Sequence, residues 1–420
     1  MSGSMTRRIA LQSAAAALGL SQTQAGQSDG KVEPLPAKSL LASDPEKFWL
    51  EIRNQQFFLP AWRNFLNNGS LGVTPRPVFQ AVADFMQLGD SRSQDFYPRW
   101  GYETMDSQRQ EMADFVGCSK DELALTHSAT AAMSIIAAGL DLKAGDEVLI
   151  TDQEHPSGRG CWQMKAARAG TTVREVGIST SPKSVSEVTD ALISAIGPRT
   201  RVLSFSSILT TTGLVLPAKE ICQAARAKGV ITVVDGAHHH GQIPLNIRDI
   251  GCDFMAGSPH KWMFAPAGCG LLYIREEWLD KLWPTIVTGN WDDKKLKAAR
   301  FMMIGTNNRA IMEGMVAGLR FGQALGYENV FGRIHHLAKL TCEKARQIPY
   351  IEVVTPQDDG MFGSIAYLKF QKDAKPLWDL CAKKKIWITH SERGIRVSTH
   401  IHTRVQDIDM FFDTVREALG

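Results

Sequence analysis

The chain has 420 residues, 44% hydrophobic and 22% charged, which sets it among globular proteins rather than disordered or fibrous ones. A formal net charge of +3, with no basic stripe interleaved with aromatics, excludes nucleic acid as an expected partner. Seven cysteines stand singly, with no C-x-x-C pair, so neither a zinc site nor a disulfide framework is indicated; the odd count suits folding in a reducing compartment.

Residues 1–25 read as a leader rather than as fold. MTRRIALQSAAAALGLSQTQAGQ combines Arg7 and Arg8, a mildly apolar stretch and small residues near Ala25. That is the layout of a bacterial export signal read by the twin-arginine machinery, which carries folded proteins to the periplasm. T-R-R-I-A-L matches the usual S/T-R-R-x-F-L pattern except at Ala10. The ordinary alternative is a frayed helix with two chance arginines. The apolar stretch is too short to span a bilayer and no later run reaches about 18 apolar residues, so stable membrane anchoring is not expected. Residues 26–44 read as a linker.

From about residue 120, short apolar runs alternate with helical patterns. LALT (123–126) precedes SATAAMSIIAAGL, DEVLIT (146–151) precedes a helix from Pro156, and RVLSFSSI (201–208) precedes PAKEICQAARAKG. Gly229 suits the C-cap of that last helix. ITVVDGA, DFMAGS and CGLLYIR follow. The alternation predicts an α/β fold with a large, mostly parallel sheet covered on both faces. After about residue 310 the texture changes. Helices over 308–325 and 331–347, the runs EVVT, SIAYLKF and GIRVSTH, and a helix in PLWDLCAKKK predict a smaller α+β domain. The expected division is 45–309 for the large domain and 310–420 for the small one.

Ligands of open parallel sheets bind beyond the carboxyl ends of the strands. Reactive residue types gather at those ends: Thr126 to Thr130, Glu154 with His155, Thr210 to Gly213, Asp235 to His238, and Ser258 to Lys261. Singly, each has a plain explanation. Ser128 can be an N-cap, Asp235 can hold a turn before Gly236, a lone histidine is more often packing, and Lys261 can be a surface lysine. Together they match one cofactor. A phosphate needs helix-start N–H donors, offered by SATA; a pyridine nitrogen needs a carboxylate, offered by Asp235. A flat ring needs a stacking partner, offered by His155, and an aldehyde needs a desolvated amine, offered by Lys261 within SPHKWMFAPAGCG. Pyridoxal phosphate requires all four. Three successive histidines, 238–240, do not suggest a metal site, because neighbours in one turn cannot all face one ion.

The chain resembles the class V aminotransferase group of fold-type I pyridoxal-phosphate enzymes, in its isopenicillin N epimerase-like branch. The resemblance runs from about residue 45 to the end. It is carried by FLNNGSLGVTP (65–75), YPRWGYETMDSQRQEMADFVG (97–117), LTHSATAAM (125–133), TTTGLVLPAKEI (210–221), VDGAHHHG (234–241), SPHKWMFAPAGCGLLY (258–273), GTNN (305–308) and GIRVSTH (394–400). It implies that Lys261 makes the covalent link to the cofactor and serves as the general base at the substrate α-carbon. It also implies that Asp235 pairs with the ring nitrogen, that His155 stacks on the ring, and that His238 approaches the phenolic oxygen. Thr210 stands where desulfurases often carry asparagine beside that oxygen. Ser128, Ala129, Thr130, Ser258 and His260 are expected around the phosphate. Gly305 and Thr306 match a segment that reaches the phosphate of a neighbouring subunit, which implies a homodimer with composite sites. Arg396 matches the arginine that clamps a substrate carboxylate, and Arg99 is expected to assist it or to pair at the subunit interface.

Cysteine desulfurases need a mobile cysteine ahead of the carboxylate-binding arginine. WITHSERGIR (387–396) has none, and Cys381 reads as packing in a helix. With the leader, the resemblance implies an exported enzyme that modifies the glutamate of a pyoverdine-type siderophore. The alternatives are a C–S lyase of ergothioneine type, an epimerase of a peptide-like substrate, and a binding or scaffold protein that has lost catalysis. Trp49, Trp62 and Trp100 are candidates for a substrate entrance, with core or interface packing as the equal alternative.

Overall fold

Apolar runs buried along all or nearly all of their length form the central strands of the large sheet. They are β2 Leu123–Thr126, β3 Glu147–Thr151, β5 Thr200–Ser206, β6 Ile231–Gly236, β7 Phe254–Gly257 and β8 Gly270–Ile274, with β4 Thr172–Val176 at the edge. Their order across the sheet is β2-β8-β7-β6-β5-β3-β4. All pairings among β3 to β7 are parallel, and Ser206 lies beside Asp235, which lies beside Ala256. β8 runs against both β7 and β2, which leaves β2 pointing the same way as the other strands. The expected mostly parallel sheet is present with one reversed strand. A buried antiparallel strand reads as the same continuous apolar run, so direction was not legible. β4 was not anticipated, because its residues are half-buried or exposed and give no apolar run.

A computed structural model describes residues 33–92, 95, 101–391 and 394–420, of which Pro34–Gly420 form one compact unit. The leader arginines, Arg99 and Trp100 lie outside the described residues. The main core packs helices such as Ala129–Gly139 and Ala218–Ala227 on the sheet, burying Met133, Ile136, Ile221 and Val234 completely or nearly so. None of the described helices is long and apolar enough to cross a membrane.

A second sheet, all antiparallel, has the order β12-β13-β10-β9, from β9 Ile351–Val353, β10 Ile365–Phe370, β12 Thr389–Ser391 and β13 Gly394–Ser398. Helix Tyr327–Arg346 and helix Val405–Leu419 cover its core. The former begins four residues before the expected 331. Segment 64–72 threads between this sheet and the Lys261 turn. β1 Asn64–Phe65 pairs with β11 Ile386–Trp387. Asn68 N–H then donates to the Ser398 carbonyl at 3.1 Å, and Gly72 N–H to the His260 carbonyl at 2.9 Å.

Candidate active site

The carboxyl ends of β2, β3, β5, β6 and β7 share one edge of the sheet, and residues just past those ends surround a cavity of about 290 Å³. Strand β7 stops at Gly257, and one helical turn, Pro259–Trp262, presents Lys261 to the cavity. Pro259 at the first helical position suits so short a turn. Lys261 Nζ stands 3.0 Å from His238 Nε2. Desolvation pulls its pKa down to about 8, opposed by Asp235 and assisted by Arg396.

Asp235 is the penultimate residue of β6, buried, with Oδ1 accepting from Ala237 N–H at 2.9 Å. Gly158 leaves room beside the other oxygen; a Cβ there would stand 3.2 Å from Asp235 Oδ2. His155 caps helix Pro156–Ala169, its Nδ1 accepting from Ser157 N–H at 3.2 Å, and its ring stays exposed at the cavity rim. Ser128 caps the 11-residue helix Ala129–Gly139 by accepting from Ala131 N–H at 3.1 Å. Ala129 N–H donates to Ser258 Oγ at 3.1 Å, and Thr130 and His260 also line this end. His260 Nδ1 lies 2.9 Å from the Cys269 carbonyl. Gly270 permits the contact between strand and helix start, since a Cβ there would fall 2.6 Å from the Ser128 backbone.

Arg396, on β13, enters from the second sheet. Its Nη1 donates to the Thr210 carbonyl at 2.8 Å and to Thr210 Oγ1 at 3.2 Å. Its Nη2 donates to Ser70 Oγ at 2.6 Å and to Asn67 Oδ1 and Thr389 Oγ1 at 3.1 Å. All of these acceptors are neutral. Its buried Nε has no partner among the described residues, and burial pulls its pKa down to about 10.

The structure therefore brings Ser128, Ala129, Thr130, His155, Thr210, Asp235, His238, Ser258, His260, Lys261 and Arg396 to one cavity. Gly305 and Thr306 do not line it. Gly305 adopts φ +84° and its carbonyl accepts from Asn307 Nδ2 at 2.8 Å, against Gly101. Trp49 is buried and Trp62 is exposed, and neither reaches the cavity. Cys381 is fully buried in helix Lys375–Lys383. The three successive histidines diverge. His239 meets Ser207 and Pro244, while His240 meets the Gly236 carbonyl.

Several contributors were not assigned from the sequence. Asn67 and Ser70, within FLNNGSLGVTP, and Thr389 hold Arg396 across more than 300 residues or from a neighbouring strand. Trp262 Nε1 donates to His238 Nδ1 at 3.3 Å. Glu154, just after β3, accepts from Thr151 Oγ1 at 2.6 Å, Ser206 Oγ at 2.6 Å and Ser206 N–H at 3.1 Å. Burial pushes its pKa up to about 7.

The sequence model described as Aminotransferase class-V matches residues 65–411. Among curated proteins the chain is 31% identical over 395 residues to an isopenicillin N epimerase of Amycolatopsis lactamdurans, covering 88% of this chain and 98% of that protein. It is 40% identical over 240 residues to the isopenicillin N epimerase of Streptomyces clavuligerus; that match spans 57% of this chain and 60% of the relative's length. A solved structure of a C-DES mutant, with glycine covalently linked to its PLP cofactor, superposes with a TM-score of 0.76 at 24% identity. The superposition covers 86% of this chain and 97% of that one, and it shows a common fold of type I.

The donor set fits pyridoxal phosphate. A helix start with its capping serine answers the phosphate, Asp235 answers the pyridine nitrogen, and the amine of Lys261 answers the aldehyde. Arg396 and the start of helix Ala129–Gly139 face a cavity lined by a single carboxylate, which suits a ligand carrying phosphate and carboxylate charges. Matched along most of its length, the chain belongs to the class V aminotransferase family and is a pyridoxal-phosphate-dependent enzyme.

Proposed function

We propose that the enzyme acts at the α-carbon of a carboxylate-bearing amino acid, and that this residue is the glutamate of a pyoverdine-type siderophore met after export to the periplasm. The observation that carries the carboxylate reading is Arg396, a buried guanidinium whose described hydrogen-bond partners are all neutral. A buried cation so placed is best satisfied by a bidentate anion. The twin-arginine layout of residues 1–25 supports the periplasmic part of the reading.

Bound pyridoxal phosphate supplies an aldehyde that captures amines and a ring that draws electrons from the α-carbon. Asp235 keeps the ring nitrogen protonated, and the start of helix Ala129–Gly139 holds the phosphate. Arg396 fixes the substrate carboxylate and so turns the α-hydrogen toward Lys261. With its pKa near 8, the Lys261 amine is uncharged in a useful fraction near neutral pH; it takes the α-proton and can return it. Gly305 and Thr306 lie outside their own chain's cavity, which supports a homodimer in which they serve the neighbouring site.

Mass spectrometry of siderophore from a strain lacking this enzyme tests the reading. Unmodified glutamate on the chromophore is expected, both there and in a strain carrying Lys261→Ala, whose purified enzyme should lack the visible absorbance of linked coenzyme. A normal siderophore overturns the substrate assignment. The match to an isopenicillin N epimerase over 88% of this chain favours a second reading, epimerisation of a peptide-like substrate. Solvent deuterium at the α-carbon of an otherwise unchanged amino acid would select it.

A further inference from the structure

Trp262 follows Lys261 on the turn Pro259–Trp262, and its fully buried indole donates back to His238 Nδ1 at 3.3 Å. An indole N–H only donates. His238 Nδ1 is therefore a lone pair, and the neutral ring carries its single proton on Nε2. That nitrogen faces Lys261 Nζ at 3.0 Å and Thr210 Oγ1 at 3.1 Å. Thr210 Oγ1 accepts from Arg396 Nη1 at 3.2 Å and keeps a second lone pair with which it can accept from the protonated Nε2. The indole is itself held in place. The His400 ring stacks on it at 5.9 Å and 23°, and His400 Nε2 donates to the Trp262 carbonyl at 3.2 Å.

An ammonium can only donate. Opposite a His238 that offers Nε2–H, a charged Lys261 would set two donors against each other. Moving the His238 proton to Nδ1 would only transfer the conflict to Trp262. An uncharged amine can share Nε2–H with Thr210 Oγ1 as a second acceptor, which removes the clash. We propose that Trp262 is a positioning residue that fixes His238 as its Nε2–H tautomer and thereby favours the uncharged form of the Lys261 amine. The ionisable groups acting on His238 are Lys261, Arg396, His155 and His260, each a base, so none favours a charged His238 ring. Asp235 is the one group that favours a charged Lys261, and the desolvated site outweighs it. The inference rests on Lys261 being the amine that links the coenzyme.

Nitrogen NMR of histidine-labelled apoprotein reads the tautomer directly, with the His238 signals identified by their loss in His238→Gln. An unprotonated Nδ1 and a protonated Nε2 are expected; the opposite assignment overturns the proposal. Trp262→Phe keeps an aromatic ring but removes the N–H together with the pyrrole part of the indole. The pH at which apoprotein captures pyridoxal phosphate at half its maximal rate should rise by about one unit, with capture at pH 7 slowed about tenfold and restored at higher pH. An unshifted profile overturns the proposal, and should the variant not fold, the wild-type tautomer still decides. Borohydride reduction and peptide mapping address Lys261 separately. Coenzyme found on another lysine would overturn the linkage reading while the tautomer result stood by itself.

Discussion

Glu154 is an enclosed carboxyl at the end of β3, and its environment sets a pH dependence that can be measured without substrate. Desolvation dominates its shift, while Ser206 and Thr151 oppose with hydrogen bonds and Asp235 adds repulsion. The folded pKa of about 7 lies above an unfolded value of about 4.5. The folded protein thus holds this proton more tightly, so the stabilisation is complete below about pH 4.5 and is lost as pH rises through about 7. Melting of the apoprotein should fall by a few degrees over that range through this group. Glu154→Gln should flatten the curve. Its amide oxygen can accept from Thr151 Oγ1 and Ser206 N–H, and its NH2 can donate to Ser206 Oγ once that hydroxyl turns its own proton away. A variant with an undiminished slope would remove Glu154 as its source. No sequence pattern announced this role, because burial beside Ser206 and Asp235 depends on three strands lying side by side.

Among the elements, the junction of β8 with helix Ala129–Gly139 is the tightest support of the phosphate end. Gly270→Ala would drive a methyl to 2.6 Å from the Ser128 backbone, forcing the helix start to shift. Coenzyme retention measured by dialysis should weaken about tenfold, the scale of losing one charge-assisted hydrogen bond. Gly160→Ala, within helix Pro156–Ala169, meets nothing within 4 Å and should leave retention unchanged. Strand ends were the most legible part of the site. Ser128, His155, Asp235, Ser258 and Lys261 each follow directly on an apolar run, so local pattern placed them together. Arg396 was legible only through GIRVSTH and its resemblance. Its supports Asn67 and Ser70 reach it through segment 64–72, and no local periodicity encodes so distant a contact. The reversal of β8 and the edge strand β4 escaped for the same reason: apolar pattern reports burial, not direction.

At the scale of the whole molecule, the position of Gly305 and Thr306 gives the homodimer proposal a quantitative test. Thr306→Asp places a charge that repels phosphate, and Lys261→Ala removes the linking amine. If sites are composite, each homodimer is inactive, whereas co-expression yields mixed dimers with one intact site. About a quarter of wild-type activity per site should then return. No recovery, with mixed dimers verified, would place each site within a single chain. The thiols carry a consequence of a different kind. All seven cysteines are buried and unpaired, and burial raises the pKa of every one, to about 11 for Cys342 and higher for the rest. Exchange and oxidation proceed through exposed thiolate. Once folded, the protein offers neither oxidants nor isomerases a thiolate to grip, so thiol–disulfide chemistry finds no handle on it whatever the redox poise of the fluid that surrounds it.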